Sequence, residues 1–493
     1  MRCGFLYIVC IVFPLMFCVL QGSAKVKLSA VFSDNMVLQQ QTDAAIWGKA
    51  SGRKVTVITS WNKKSYVVKT DRNGNFKLKV QTPKAGGPYE ITFFDGEKLT
   101  INEVLIGEVW FCSGQSNMEM PVKGFFNQPV LHSNEAIACS TNTYIRLFFV
   151  NRNTTLSPLD NFLGGEKWKK CIPGNVANFS AAAYFFGMTL QKALGIPVGL
   201  IDASHGDSRI EPWMSKSALQ YFDFVNLPDE KMKENISYQT PTVLYNAMVH
   251  PFIGYAIKGV IWYQGESNQR EPEHYEKLLP GLIKDWRENW NIGNFSFYYA
   301  QIAPCKTGIE HDNFKIFPSY YYPHITPRSS VDVNSAFLRE VQLKASTVLP
   351  NTGMACMMDI GEAHCVHPKH KKITGERFAL LALSKTYGMK GIVCEGPTLK
   401  EMTINGNIVK LTFNNASNGL TSYGKKLKHF KVAGEDKRFY PAAALITLTG
   451  ITLSSSCVDK VVAVRYAFDD FVAGDLFNTY GLPASCFRTD DWE

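Results

Sequence analysis

The chain has 493 residues, 45% hydrophobic and 19% charged, with no low-complexity tract or internal repeat. This is an ordinary globular composition, too long for a single core. The formal net charge of +9 comes from scattered basic residues, densest at Lys369, Lys371 and Lys372. It is compatible with an anionic substrate, but no nucleic-acid motif accompanies it, so nucleic acid is not an expected partner.

Arg2, an uncharged apolar run over 3–20 and the small residues Gly22 and Ala24 read as a secretory signal peptide, residues 1–24, cleaved after Ala24. The competing reading is an uncleaved anchor, because the run approaches the roughly 20 residues that a membrane span needs. No later segment is long and apolar enough to span a bilayer, so no stable membrane insertion is expected after cleavage. The expected location is secreted or periplasmic, or lysosomal in a eukaryotic host. Loss of Arg2 takes the charge from +9 to +8, and loss of Cys3, Cys10 and Cys18 leaves nine of twelve cysteines, an odd number with no paired Cys-x-x-Cys framework.

Residues 25–105 alternate short strands with turns and predict an antiparallel β-sandwich. From 106 the texture changes. Val109-Trp110-Phe111-Cys112 reads as a buried strand that ends in Gly114-Gln115-Ser116-Asn117-Met118. Helical spacing over 182–194, a buried strand at 197–201, and strand–helix pairs through 260–286, 295–302 and 353–387 predict a parallel sheet covered on both faces, residues 106–390. The long segment 305–334, with Tyr320, Tyr321 and Tyr322, is a candidate pocket lid. After 391 the strand-and-turn pattern returns, and a second β domain is expected over 391–493.

The strand that ends at Gly114 delivers Ser116 to the carboxyl edge of a parallel sheet, where such sheets place their ligands. Ser116 is therefore a candidate nucleophile. Met118 stands where the Gly-x-Ser-x-Gly elbow has its last glycine, and a serine N-cap opening a helix at Asn117 is the plainer alternative. Three further strand ends repeat the pattern: Asp202-Ala203-Ser204-His205-Gly206-Asp207, Gln264-Gly265-Glu266-Ser267-Asn268, and Asp359 through His364-Cys365-Val366-His367. Acyl transfer needs a nucleophile, a base for its proton and donors aimed at the oxyanion, and these four ends contain that set.

On Gly114-Gln115-Ser116-Asn117-Met118-Glu119, Trp262-Tyr263-Gln264-Gly265-Glu266-Ser267-Asn268, His367-Pro368-Lys369 and the ending Gly481-Leu482-Pro483-Ala484-Ser485-Cys486-Phe487, the chain resembles the sialate O-acetylesterase family of SGNH hydrolases. The resemblance covers almost the whole mature chain. It implies an α/β fold, an SGNH three-layer α/β/α catalytic domain with flanking antiparallel β-sandwich domains, that removes O-acetyl groups from sugars. Carried over by position, it implies Ser116 as nucleophile, His367 as general base, and an oxyanion hole from the Ser116 and Gly206 N–H groups and the Asn268 side chain. No metal or organic cofactor is implied; the partner is an O-acetylated sugar or glycan.

Three departures stand out. Asp207 follows Gly206 where relatives often have a second glycine, and it brings a charge near an anionic transition state. Cys365 and His364 occupy the positions from which an acid would orient His367. Asp359, at a strand end, is then the expected third member, with Glu362 close behind, and a Ser–His dyad oriented by a backbone carbonyl remains open. Gln115, Gln264, Glu266 and Glu362 read as supporting residues that brace the loops, while Trp110, Trp262 and Tyr263 read as core. Two rival functions follow from the same residues. His364, Cys365, His367, His370 and Cys356 are zinc-ligand types, though at no standard zinc spacing. A decayed site would leave a carbohydrate-binding protein. Acetylated plant polysaccharides such as xylan compete with sialic acid as substrate.

Overall fold

The computed structural model describes residues 25–162, 164–229, 236–306 and 333–492. The expected signal peptide and most of the candidate lid, Tyr320 to Tyr322 included, lie outside the described residues. Strands β1 (Lys98–Gly114), β2 (Ile145–Phe149), β3 (Val198–Ser204), β4 (Gly259–Tyr263), β5 (Ser296–Ala300) and β6 (Thr352–Ala355) run parallel in the order β2-β3-β1-β4-β5-β6. From Leu105 onward β1 is buried throughout, and the other five strands are buried almost end to end, because both faces of the sheet are covered. In β1, Val109 and Phe111 enter one core together with Leu282 and Trp286, while Trp110 and Cys112 enter a second with Phe186 and Phe378.

The helices that supply those faces are α1 (Ser116–Glu119), α2 (Ala181–Leu194), α3 (Pro272–Trp290), α4 (Ala336–Ala345) and α5 (Lys371–Leu381). Helices α3 and α4 pack together, as do α2 and α5. Ser180 caps α2 by accepting the Ala183 N–H at 3.1 Å, and Gly195, at φ +68°, ends it. Trp110, Trp262 and Tyr263 are fully buried, as their place in strands predicts.

Before the parallel sheet, Asp43–Lys49 pairs antiparallel with Asn75–Gln81, and Lys54–Thr59 pairs with Ser65–Lys69 and Gly86–Phe94. Strand β1 crosses the expected boundary at residue 105 without a break. Its first half pairs with Gly86–Phe94 and its second with β3 and β4. After α5, one antiparallel sheet holds Thr398–Asn405, Ile408–Asn414, Ala443–Thr447 and Gly450–Ser454, and another holds Phe430–Ala433, Phe439–Pro441, Ala463–Tyr466 and Phe487–Arg488. Among the described residues no helix is long and apolar enough to cross a membrane, and all nine cysteines left after residue 24 are free thiols.

Candidate active site

The register of the parallel sheet brings three of the sequence-predicted strand ends level: Gly114 lies opposite Ser204 on one side and Tyr263 on the other. Gly114 sits at φ +142°, and a Cβ there would stand 2.1 Å from the Tyr263 carbonyl oxygen. Glycine is required for the turn and for the close approach alike. Gln115 holds the next loop, its N–H donating to the Tyr263 carbonyl at 2.9 Å and its Oε1 accepting the Gly265 and Ser267 N–H groups at 3.2 and 3.3 Å. Helix α1 starts at Ser116 itself, after Gln115 in extended conformation, so Ser116 is not the N-cap. It is half-buried on its own short helix, and its N–H is among those that a helix start leaves without an intrahelical acceptor.

Asn117, fully buried, ties this turn to the histidine loop. Its Nδ2 donates to the Val366 carbonyl at 2.9 Å and to Glu266 Oε1 at 2.6 Å, and its Oδ1 accepts from the Lys371 ammonium. The residue after Ser116 is thus bonded to the residue before His367. Lys371 is wholly buried at the start of α5, over the Tyr263 ring, and burial pushes its pKa down to about 7 despite the nearby Glu266.

His367 is 7% exposed, packs edge-on against Phe125 at 5.3 Å, and its Nδ1 lies 2.5 Å from Oε1 of the buried Gln128. An amide oxygen there accepts the Nδ1–H and leaves Nε2 with the lone pair, the tautomer a general base needs. Asp359, the residue expected in that position, is paired with a cation. Arg377 on α5 holds both its oxygens at 2.7 Å, and Arg377 also donates to the Cys356 carbonyl. The other alternative, Glu362, accepts the Lys369 N–H at 3.0 Å, and the Cys365 thiol turns to the His367 carbonyl at 3.3 Å. Among the described residues, no group of three His, Cys, Asp or Glu side chains is placed to hold a metal ion.

The three expected oxyanion donors are differently engaged. A Cβ on Gly206 would stand 3.5 Å from that of Ser116, so the two backbones are neighbours. The Gly206 N–H, however, donates to Glu119 Oε2 at 2.6 Å, and the other oxygen of Glu119 is paired with Arg152. Asn268 is fully buried. Its Oδ1 accepts from Ile210 N–H and Gln264 Nε2 at 3.0 and 2.8 Å, and its Nδ2 donates to Glu211 at 3.2 Å with a second hydrogen to spare. Gln264 also donates to the Ser208 carbonyl, and Glu211 is held by Arg209.

Asp207 adopts φ +59°, and its carboxylate takes the Tyr238 hydroxyl at 3.0 Å and the Ser267 hydroxyl at 3.5 Å. Tyr238 in turn stacks on His205 at 4.5 Å, and burial lowers the His205 pKa to about 4, keeping that ring neutral. Sequence reasoning did not single out Gln128, Asn117, Glu119, Arg152 or Lys371 for a role. Asn117 and Glu119 lie inside the serine motif and carried a signal through it, whereas Gln128 and Arg152 are polar residues in irregular loops.

Residues 106–318 match the family model for the sialic acid-specific acetylesterase type of carbohydrate esterase. The mouse sialate O-acetylesterase is 28% identical over 89% of this chain and 89% of its own length, and the human one 28% identical over 90% and 87%. The crystal structure of a carbohydrate acetylesterase from Xanthomonas citri superimposes with a TM-score of 0.82 at 31% identity, covering 95% of this chain and 100% of that one. The chain belongs to the family of sialate O-acetylesterases and related carbohydrate acetylesterases, and it is a carboxylic ester hydrolase.

Proposed function

We propose that the protein is a secreted serine esterase, periplasmic or lysosomal according to its host, that removes acetyl groups from O-acetylated sugars, sialic acid foremost, through an acetyl-enzyme on Ser116. The observation that carries this reading is the Asn117–Val366 hydrogen bond of 2.9 Å, which couples the neighbour of Ser116 to the neighbour of His367.

In this reading His367 Nε2 takes the Ser116 hydroxyl proton as Oγ attacks the acetyl carbonyl. The oxyanion is met by the Ser116 N–H and the second Asn268 amide hydrogen, and by the Gly206 N–H once Glu119 swings toward Arg152. Collapse expels the sugar oxygen, which takes the proton from His367, and water then repeats the sequence on the acetyl-enzyme. Gln128 takes the place expected for Asp359, orienting His367 as a neutral amide. Its 2.5 Å contact with Nδ1 and the Arg377 pairing of Asp359 support that assignment. The same reading takes the parallel sheet as the SGNH three-layer domain over 106–390, with the antiparallel segments 25–105 and 391–493 as flanking β domains.

The test is acetate release from p-nitrophenyl acetate and from 9-O-acetylated sialic acid by the wild type and Ser116→Ala. Activity on both esters, lost in the variant, is the expected result. Serine-dependent activity on the aryl ester alone would move the substrate to acetylated xylan, and activity that survives in Ser116→Ala would refute the mechanism.

A further inference from the structure

A cleft of about 620 Å³ lies between α5 and the C-terminal β region, and none of Ser116, Gly206, Asn268 or His367 lines it. Its size falls within the roughly 300–1,000 Å³ of small-molecule sites. One wall is α5, with Glu376 and the Arg377–Asp359 pair; the other carries Tyr423, Lys425 and Tyr480. Glu376 lies five residues beyond Lys371, about 7.5 Å along the helix at 1.5 Å per residue, so the cleft opens close below the histidine loop.

The two tyrosines are largely exposed, Tyr480 at 52% and Tyr423 at 61% with its ring resting on Phe477 at 5.0 Å. Both stand on rigid turns brought side by side by the pairing of Leu420–Thr421 with Phe477–Asn478. Asn478 is fully buried. Its Oδ1 accepts the Tyr480 and Leu482 N–H groups at 3.2 and 3.0 Å, and its Nδ2 donates to the Glu395 and Asn415 carbonyls.

Tyr423 sits at φ +53°, a strained conformation for a bulky side chain. It is held there by Thr421 Oγ1, which accepts its N–H at 2.9 Å, and by the Lys425 N–H to Ser422 carbonyl bond at 3.1 Å. These bonds hold the turn in that conformation and so fix where the exposed Tyr423 ring stands. Beside it, among the described residues, no carboxylate pairs with Lys425, while Glu376 meets Lys372 only at 3.9 Å.

Fixed aromatic faces suit the C–H face of a pyranose ring, and the Lys425 ammonium and Glu376 carboxylate suit its hydroxyls as donor and acceptor. We infer that this cleft is a second carbohydrate site, which holds an oligosaccharide stretch of the same glycan whose acetyl ester is cleaved at Ser116. The inference rests on the proposed sugar substrate.

The test separates the two. Deacetylated sialyl-oligosaccharide and xylo-oligosaccharide are titrated calorimetrically into Ser116→Ala and into the same protein carrying Tyr423→Ala and Tyr480→Ala. The expected result is binding of at least one sugar that weakens by about tenfold or more on loss of the two rings. In the Ser116 protein, the same pair of substitutions raises KM for the acetylated polymer by a similar factor and leaves p-nitrophenyl acetate hydrolysis unchanged. Lys425→Gln, a surface change, should weaken binding without moving Tm, and acidic sugars more than neutral ones. Equal binding by the folded double variant, or no binding of either sugar by Ser116→Ala, would overturn the cleft assignment whatever the esterase does. A wild type inactive on every acetylated sugar, yet binding oligosaccharide through the two tyrosines, would overturn the substrate reading and leave the site standing.

Discussion

Replacing Gln128 by Glu asks directly whether this side chain stands behind the catalytic base. The amide oxygen lies 2.5 Å from His367 Nδ1, and Gln128 is 5% exposed. A carboxylate at that position would sit about 4 Å from the centre of the imidazolium charge, worth about 4 kcal/mol at an effective dielectric near 20. Part of that is spent on desolvating the new carboxylate beside Phe125, so a net rise of about 1–3 pH units in the His367 pKa is expected. The assay is the pH dependence of kcat/KM for p-nitrophenyl acetate, whose acid limb reports the base in the free enzyme. The limb should move to higher pH by that amount. The alkaline plateau should rise, because the imidazolium formed in the transition state now has a counter-charge. Gln128→Ala should act the opposite way, costing about two decades of kcat, short of the four that a lost triad carboxylate can cost. An acid limb that does not move in Gln128→Glu, with full activity in Gln128→Ala, would refute the assignment.

Asp359→Asn should keep kcat within about tenfold, since the carboxylate serves Arg377, but destabilise the fold by about 3 kcal/mol by stranding a buried guanidinium; a four-decade loss of kcat in a folded variant would restore Asp359 to the triad. Asn117→Ala removes the bond to Val366 and should lower kcat by about a hundredfold through misplacement of His367 with a smaller effect on KM, read from steady-state kinetics. Burial raises the Asp202 pKa to about 7 from 3.8. The folded protein therefore binds more protons than the unfolded chain between those values, and stability falls as pH rises through that window; Asp202→Asn should flatten this in urea titrations at pH 4 to 8. Lys371 shows the reverse sign. Its folded pKa of about 7 lies below the ordinary 10.5, so the unfolded chain binds more protons and stability climbs as pH rises from 7 toward 10. Thermal unfolding of Lys371→Met should lack that slope.

The residues legible in the sequence were those whose position follows from a strand end. An apolar run that stops at Gly114 fixes where Ser116 emerges, and the same logic brings Gly206 and Asn268 to the same edge. What strand ends do not fix is the partner of a polar group. Asp359 is at a strand end, yet a helix laid against that strand puts Arg377 on its carboxylate. Gln128 reaches His367 across 239 residues of sequence, from an irregular loop held by the Phe125–Gln128 bridge and the Leu131 N–H to Lys369 carbonyl bond. No periodicity encodes such a contact. The expected boundary at 105 came from a change of texture, and β1 runs straight through it because one long strand pairs antiparallel with Gly86–Phe94 in its first half and parallel with β3 and β4 in its second, within one sheet.

A neutral amide behind His367 has a physical logic in the charge around it. The loops near Ser116 already hold Glu119 against Arg152, Glu266 against Asn117, Glu211 against Arg209, and Asp207 against Tyr238 and Ser267. Lys371, with its pKa near 7, offsets Glu266 only in part at neutral pH. Ester cleavage develops a further negative charge on the acetyl oxygen, and each unbalanced carboxylate nearby raises its energy. A glutamine keeps His367 in the correct tautomer without adding to that burden, at the expense of a weaker base. On the proposed mechanism, the site would trade strength in the proton acceptor for a less negative field at the oxyanion. The plateau of Gln128→Glu measures that trade: a pKa that rises while kcat does not would mean that the field at the oxyanion outweighs the gain in the base.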